Sequence, residues 1–220
     1  MKLEEIVRDP AKAYETGRDL PDDEFELISE QILSSLTQSP VHSFGAGRRW
    51  NDERFEKYAD QLAEAVSKHP ETSYLAGKEW KYERFDMAAE KIMKGLAQNF
   101  AYCIMAGQNW KEERFNRLSE KITEAIIQIP DHIFCAEHDW SKDRFRSIEH
   151  ALLEKHSILF ITLRDAYIFA QQAGKINDFF FGLKKNIERG TADRYCKAII
   201  QYFRANAKGA GNYRMIEVAA

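Results

Sequence analysis

The chain has 220 residues, 44% of them hydrophobic and 30% charged, with a formal net charge of −3 at neutral pH. That length can bury a sizeable core, and so apolar a composition excludes wholesale disorder. The densest apolar run, Ile158 to Leu163, is far shorter than the roughly 18 residues that would span a bilayer, so no membrane association is expected. The opening MKLEEIVRDP is charged from its second residue and shows no signal-peptide pattern. Cys103, Cys135 and Cys196 cannot all pair within one chain, which points to a reducing, cytoplasmic setting.

Residues 1–19 contain Pro10 and a mostly polar helical pattern, expected to form an N-terminal cap. From residue 20 the chain is periodic. Trp50, Trp80, Trp110 and Trp140 are spaced by thirty residues and open the phrases WNDERF, WKYERF, WKEERF and WSKDRF; Leu20 opens a weaker copy, LPDDEF. Self-similarity at a fixed period marks a repeat architecture. Aligned from residue 20 to residue 169, the five units share an apolar face. Its columns are Phe25, Phe55, Phe85, Phe115 and Phe145, then Ile32, Leu62, Ile92, Ile122 and Leu152. Spacings of three and four residues predict a first helix over positions 3 to 19 of each unit. Asn51 and Ser141 suit its N-cap, and acids such as Asp52 and Glu83 suit its first turn.

Pro40, Pro70 and Pro130 share position 21, where proline ends one helix and can open the next. A second helix is predicted over positions 21 to 28. Position 27 is alanine in every unit (Ala46, Ala76, Ala106, Ala136 and Ala166), which implies close helix contact. Gly47, Gly77 and Gly107 follow it and are expected to end that helix in the left-handed conformation. The pattern predicts an all-α fold, a right-handed α-solenoid of about five two-helix repeats closed by a C-terminal helical cap. The chain resembles the broad class of HEAT-like helical repeats over residues 20–169; that resemblance is architectural and carries no function.

Beyond the repeats, residues 170–220 are expected to pack on them as part of one domain. This end is basic: residues 175–215 hold nine Lys or Arg against three acids, a net of +6 that leaves −9 for the remainder. It also interleaves cations with aromatic rings. Lys184, Lys185, Arg194, Lys197, Arg204, Lys208 and Arg214 are therefore the candidate nucleic-acid contacts.

Other constellations read as structure. The Arg54, Arg84, Arg114 and Arg144 column could grip a carboxylate or phosphate. The acids beside it (Glu53, Glu83, Glu113 and Asp143) favour instead ion pairs, within its own or the adjacent repeat, that stiffen the stack, each worth about 0.2–1 kcal/mol if exposed. His132, Cys135, His138 and Asp139 have the spacing of a metal site. Cys135, however, falls in the column of Leu75 and Met105 and reads as core, and His138 falls in a surface column. No metal, cofactor or catalytic residue is expected. The second-helix columns that vary most supply the candidate partner ridge: Arg48, Lys78, Gln108 and His138 at position 29, with Tyr102 and His132 at position 23. The favoured reading is a non-catalytic protein-binding adaptor, inhibitor or complex subunit, with self-association as one form. Nucleic-acid binding through the basic end is the alternative, and an enzyme on the same scaffold is the third reading.

Overall fold

The computed structural model describes residues 8–206, which form thirteen α-helices and no strand. The chain divides into two compact units, residues 1–122 and 123–220. In the first unit lie α1 (Pro10–Asp19), α2 (Asp22–Leu36), α3 (Pro40–Arg49), α4 (Asp52–Val66), α5 (Pro70–Glu79), α6 (Tyr82–Leu96) and α7 (Phe100–Asn109). The following helix, α8 (Glu112–Ile127), crosses the division. Each second helix packs on the next, α1 on α3, α3 on α5 and α5 on α7. The first helices α4 and α6 also lie against each other.

The helix ends follow the sequence signals. Pro40 and Pro70 occupy the first turn of α3 and α5, where an N–H would have no intrahelical acceptor. The Asn51 side chain accepts the Arg54 backbone N–H at 2.8 Å and so caps α4. The alanine column is wholly buried in all five units. Each second helix runs two residues past its predicted end, to position 30, and the tryptophan that follows turns into extended backbone. The Trp80 N–H closes α5 by donating to the Ala76 carbonyl at 3.1 Å.

That extension corrects the expectation for the glycines. Gly47, Gly77 and Gly107 lie inside α3, α5 and α7 in right-handed conformation; positive φ falls on Ser157, Gly174 and Gly190 instead. Steric access, not backbone freedom, is what glycine provides here. A Cβ on Gly47 would lie 2.2 Å from Trp80 Cζ2, and one on Gly77 would lie 2.0 Å from Trp110 Cζ2. Each indole thus rests on bare backbone of the second helix before the one it closes, Trp80 on α3 and Trp110 on α5. Its other side meets the preceding first-helix phenylalanine edge-on, with centroids 5.3 Å apart for Phe25–Trp50 and Phe55–Trp80 and 5.6 Å for Phe85–Trp110. Such pairs contribute about 0.5–1.5 kcal/mol beyond burial.

The same geometry extends upstream. In α1, Pro10 stands thirty residues before Pro40, and a Cβ on Gly17 would lie 2.5 Å from Trp50 Cζ2. Residues Pro10–Asp19 therefore occupy the place of a second helix.

The second unit holds α9 (Pro130–Asp139), α10 (Lys142–His156), α11 (Phe160–Gln172), α12 (Ile176–Glu188) and α13 (Ala192–Asn206). Here the period fades. The helix α10 stops at Ser157 in the left-handed region, and α11 starts in the proline column but runs for 13 residues rather than ten. Tyr167 replaces the glycine, and its ring stacks on Phe134 with centroids 4.0 Å apart. Left-handed Gly174 and Gly190 then turn the chain into α12 and α13. Tyr195, Cys196, Ile199 and Ile200 bury one face of α13, and the Tyr195 hydroxyl donates to the Phe179 carbonyl at 3.2 Å.

Gly77→Ala tests the seat under Trp110. In an open helix that change would stabilise by about 1 kcal/mol through propensity. Here the clash should win, with a net loss of about 1–3 kcal/mol by urea denaturation. A gain in stability would show that the indole does not need the bare backbone.

Candidate functional site

The arginine column is the first candidate that the structure places. Arg54, Arg84 and Arg114 are buried, 4–6% exposed, and each reaches back to the end of an earlier second helix. Their Nη1 groups donate to the carbonyls of Gly17, Gly47 and Gly77 at 2.5–2.8 Å. Their Nη2 groups donate to those of Leu20, Trp50 and Trp80 at 2.5–2.7 Å. These are helix-terminal carbonyls that the helix itself leaves unpaired, at the negative end of its dipole. Arg54 Nε donates to Asp22 at 2.6 Å and Arg84 Nε to Asp52 at 3.0 Å. Hydrogen bonds from Asn51 and Arg54 hold the Asp22 carboxyl below its usual range, and Lys81 and Arg84 do the same for Asp52.

The expected pairing with an acid is met for Arg54 and Arg84 by an aspartate of the adjacent repeat rather than by the neighbouring Glu53 and Glu83, and backbone carbonyls take the remaining donors. The guanidinium groups lie buried because they close helix ends, so in this unit they are cross-links rather than an open ligand ladder. Exposed ion pairs do run between successive first helices: Lys57 with Glu26, Lys91 with Asp60 at 2.5 Å, Arg117 with Asp86 at 2.6 Å, and Lys121 with Glu90.

The ridge candidates divide by column. Arg48, Lys78 and Gln108 are exposed at equivalent places on the mutually packed α3, α5 and α7. Arg48 pairs with Glu79 at 3.0 Å, and Lys78 Nζ lies 5.8 Å from the Tyr74 ring centroid. Position 23 lies deeper. Thr72 is buried with its hydroxyl donating to the Val66 and His69 carbonyls. Tyr102 is half-buried with its ring 5.9 Å from that of Tyr74. This column opens the second helix beside the end of the first, which draws its side chains inward.

In the second unit His132 is half-buried, and burial holds its imidazole below the ordinary value. His138 is exposed and lies 2.9 Å from Asp139. Cys135 corrects an expectation, since it is exposed rather than core. Its column faces outward, as Met105 also does at 37% exposure. With His138, Phe134 and Tyr167 it borders an open hollow of about 370 Å³. Among the described residues no group of three His, Cys, Asp or Glu side chains is arranged to hold a metal ion. Burial pushes the Cys103 and Cys196 thiols up to about 12, so neither is a nucleophilic thiolate at neutral pH. Burial also raises Cys135, with Asp139 and Asp131 adding to it.

A wider groove of about 840 Å³ opens between α2 and α4, edged by Glu26, Glu30, Asp60 and Glu64 with Lys57 and Lys68. At the basic end Lys184, Lys185, Arg194, Lys197 and Arg204 are exposed, and Lys197 pairs with Asp193 at 2.6 Å. Lys208 and Arg214 lie outside the described residues. Two rings beside these cations pack inward: Tyr195 is buried, and Phe203 stacks on Phe169 with centroids 5.6 Å apart, whereas Phe181 on α12 is 75% exposed. Among the described residues no helix is long and apolar enough to cross a membrane.

Comparison with protein-family models, with curated proteins and with solved structures found no match for the chain. The buried arginines give the sharpest local test. Arg84→Ala should cost about 2–4 kcal/mol in urea denaturation, because it strips donors from two helix-end carbonyls and Asp52. Arg48→Ala, which removes one exposed pair, should cost no more than about 1 kcal/mol. Equal effects would place the two arginines in the same energetic class and contradict the interlock.

Proposed function

We propose that the chain is a non-catalytic binding protein that offers the outer side of its second helices to a protein partner. It would serve as an adaptor, an inhibitor or a subunit of a complex. In this reading the fold is a right-handed α-solenoid of about five two-helix units with a C-terminal helical cap, working in the reducing cytoplasm. The observation that carries it is a division of labour within the first unit. The uniform columns (Phe and Ala throughout, Trp and Arg from residue 50 on) are buried in packing, while the column that varies, Arg48, Lys78 and Gln108, stands exposed in line. Residues that hold a stack together are bound to be uniform; residues that read a partner are free to differ. The buried Cys103 and Cys196 thiols and the exposed cationic ridge suit binding better than covalent chemistry.

The basic C-terminal segment supports the nucleic-acid reading less well, since Tyr195 and Phe203, which interleave with its cations, are engaged in packing; among its described rings Phe181 stands exposed. Affinity capture of the tagged chain from its native lysate, with and without nuclease, separates the two. A stoichiometric protein partner should survive nuclease, and the Arg48→Glu, Lys78→Glu double variant should weaken it about tenfold with helicity unchanged. Equal capture by the double variant would refute the ridge, and loss of every partner on nuclease treatment would favour nucleic acid.

A further inference from the structure

The first unit builds the same charged corner three times and furnishes it with a carboxylate twice. At the first corner Asp22 accepts from Arg54 Nε at 2.6 Å and from Asn51 Nδ2 at 3.0 Å. At the second, Asp52 accepts from Arg84 Nε at 3.0 Å and Nη2 at 2.5 Å, and from Lys81 Nζ at 2.6 and 2.9 Å. At the third corner Lys111 follows Lys81 by thirty residues and Arg114 follows Arg84 likewise, but the place of the aspartate belongs to Tyr82.

Arg114 is anchored as its counterparts are, through Nη1 to the Gly77 carbonyl and Nη2 to the Trp80 carbonyl, both at 2.5 Å. That anchoring aims its Nε toward the side chain at position 82, as it aims Arg84 Nε toward Asp52. The residue is 5% exposed, and among the described residues its Nε meets no hydrogen-bond acceptor. Leaving a buried cationic donor without an acceptor is costly, so an incoming acceptor gains what the chain forgoes. Two further features favour an anion there. Tyr82 opens the 15-residue helix α6, whose N-terminus carries partial positive charge, and Lys111 is exposed thirty residues after Lys81, which binds Asp52 at the preceding corner. Tyr82 is itself 36% exposed, with its ring centroid 6.1 Å from that of Phe85. A side chain so placed exchanges rotamers without unfolding.

We propose that the Tyr82–Lys111–Arg114 corner receives a carboxylate from another molecule, an Asp or Glu side chain of an acidic peptide segment, seated as Asp52 is in the preceding corner. One Nε–H and one ammonium match a carboxylate, the group that the two filled corners hold. A doubly charged phosphate fits worse, because the Glu113 and Glu83 charges also reach Arg114. Those glutamates do not take the place of the aspartate: at the filled corner their counterparts, Glu83 and Glu53, stand at the same positions, and Asp52 is bound all the same. The assignment is independent of the second-helix ridge and would hold if the ridge bound nothing.

The test follows the arginine Nε–Hε signals of the full chain by NMR during titration with an octaglutamate peptide at low salt. The Arg114 signal should move saturably while those of Arg54 and Arg84 stay fixed, and Lys111→Ala should weaken the apparent affinity about tenfold. Tyr82→Asp supplies the carboxylate internally. It should abolish the response and bring the Arg114 signal, without peptide, toward those of Arg54 and Arg84. Tyr82→Asn, which removes the ring without adding charge, should keep the response and so separates site filling from a folding defect. An Arg114 signal that the peptide leaves unmoved, or moves equally in Tyr82→Asp, would overturn the proposal.

Discussion

The first unit depends on one close contact, the indole that opens a repeat lying on the bare backbone of the second helix two repeats before. The Gly47–Trp80 and Gly77–Trp110 seats leave no room for even a methyl group. This fixes how near a second helix can approach the next tryptophan, and through it the rise from unit to unit. The other uniform columns follow from that approach. Alanine at position 27 permits the same closeness one residue earlier, and the phenylalanine of the preceding first helix closes the far edge of the ring. A thirty-residue period without insertion is what such a contact requires, since one extra residue would lift the indole off its seat.

The buried arginines solve a problem that this packing creates. Pressing the end of a second helix against the next unit takes its last carbonyls out of water, and buried carbonyls without donors are costly. A guanidinium carries five donors in a planar fork, so one residue can satisfy two carbonyls and a carboxylate together. Lysine, with one compact ammonium, could not span those three acceptors. The surface ladder that links Lys91 to Asp60 and Arg117 to Asp86 adds order at little energetic value, because its members are largely exposed. Packing and the buried fork hold the repeats; the surface charges tune them.

Much of this was legible in the sequence. The period, both helices of each unit, the Asn51 cap, the proline elbow and the alanine contact are local signals, and each appears in the structure. What escaped reading depends on partners far along the chain. Gly47 and Gly77 near a helix end look like left-handed terminators, and only the position of an indole thirty-three residues later shows their steric role. The carbonyl acceptors of Arg84 lie 34 and 37 residues upstream, and nothing near Arg84 in sequence marks them; an acid of the adjacent repeat, here Asp52, falls within the expected pairing. Cys135 sits among apolar residues of a short helix, and no periodicity over ten residues told its outer face from its inner one. Pro10 and Gly17 did carry a readable signal, being in phase with Pro40 and Gly47. Aligning on tryptophan alone hid it, since Leu20 takes that place after α1.

The central claim is that glycine is present because of the tryptophan, and a double-mutant cycle between Gly47 and Trp80 measures that dependence directly. Urea denaturation of Gly47→Ala should show a loss of stability in the natural sequence. In a Trp80→Leu background the same change should become neutral or stabilising, as helix propensity dictates once the ring is gone. An equal loss in both backgrounds would mean that the glycine serves the helix itself, and the account of the stack given above would be wrong.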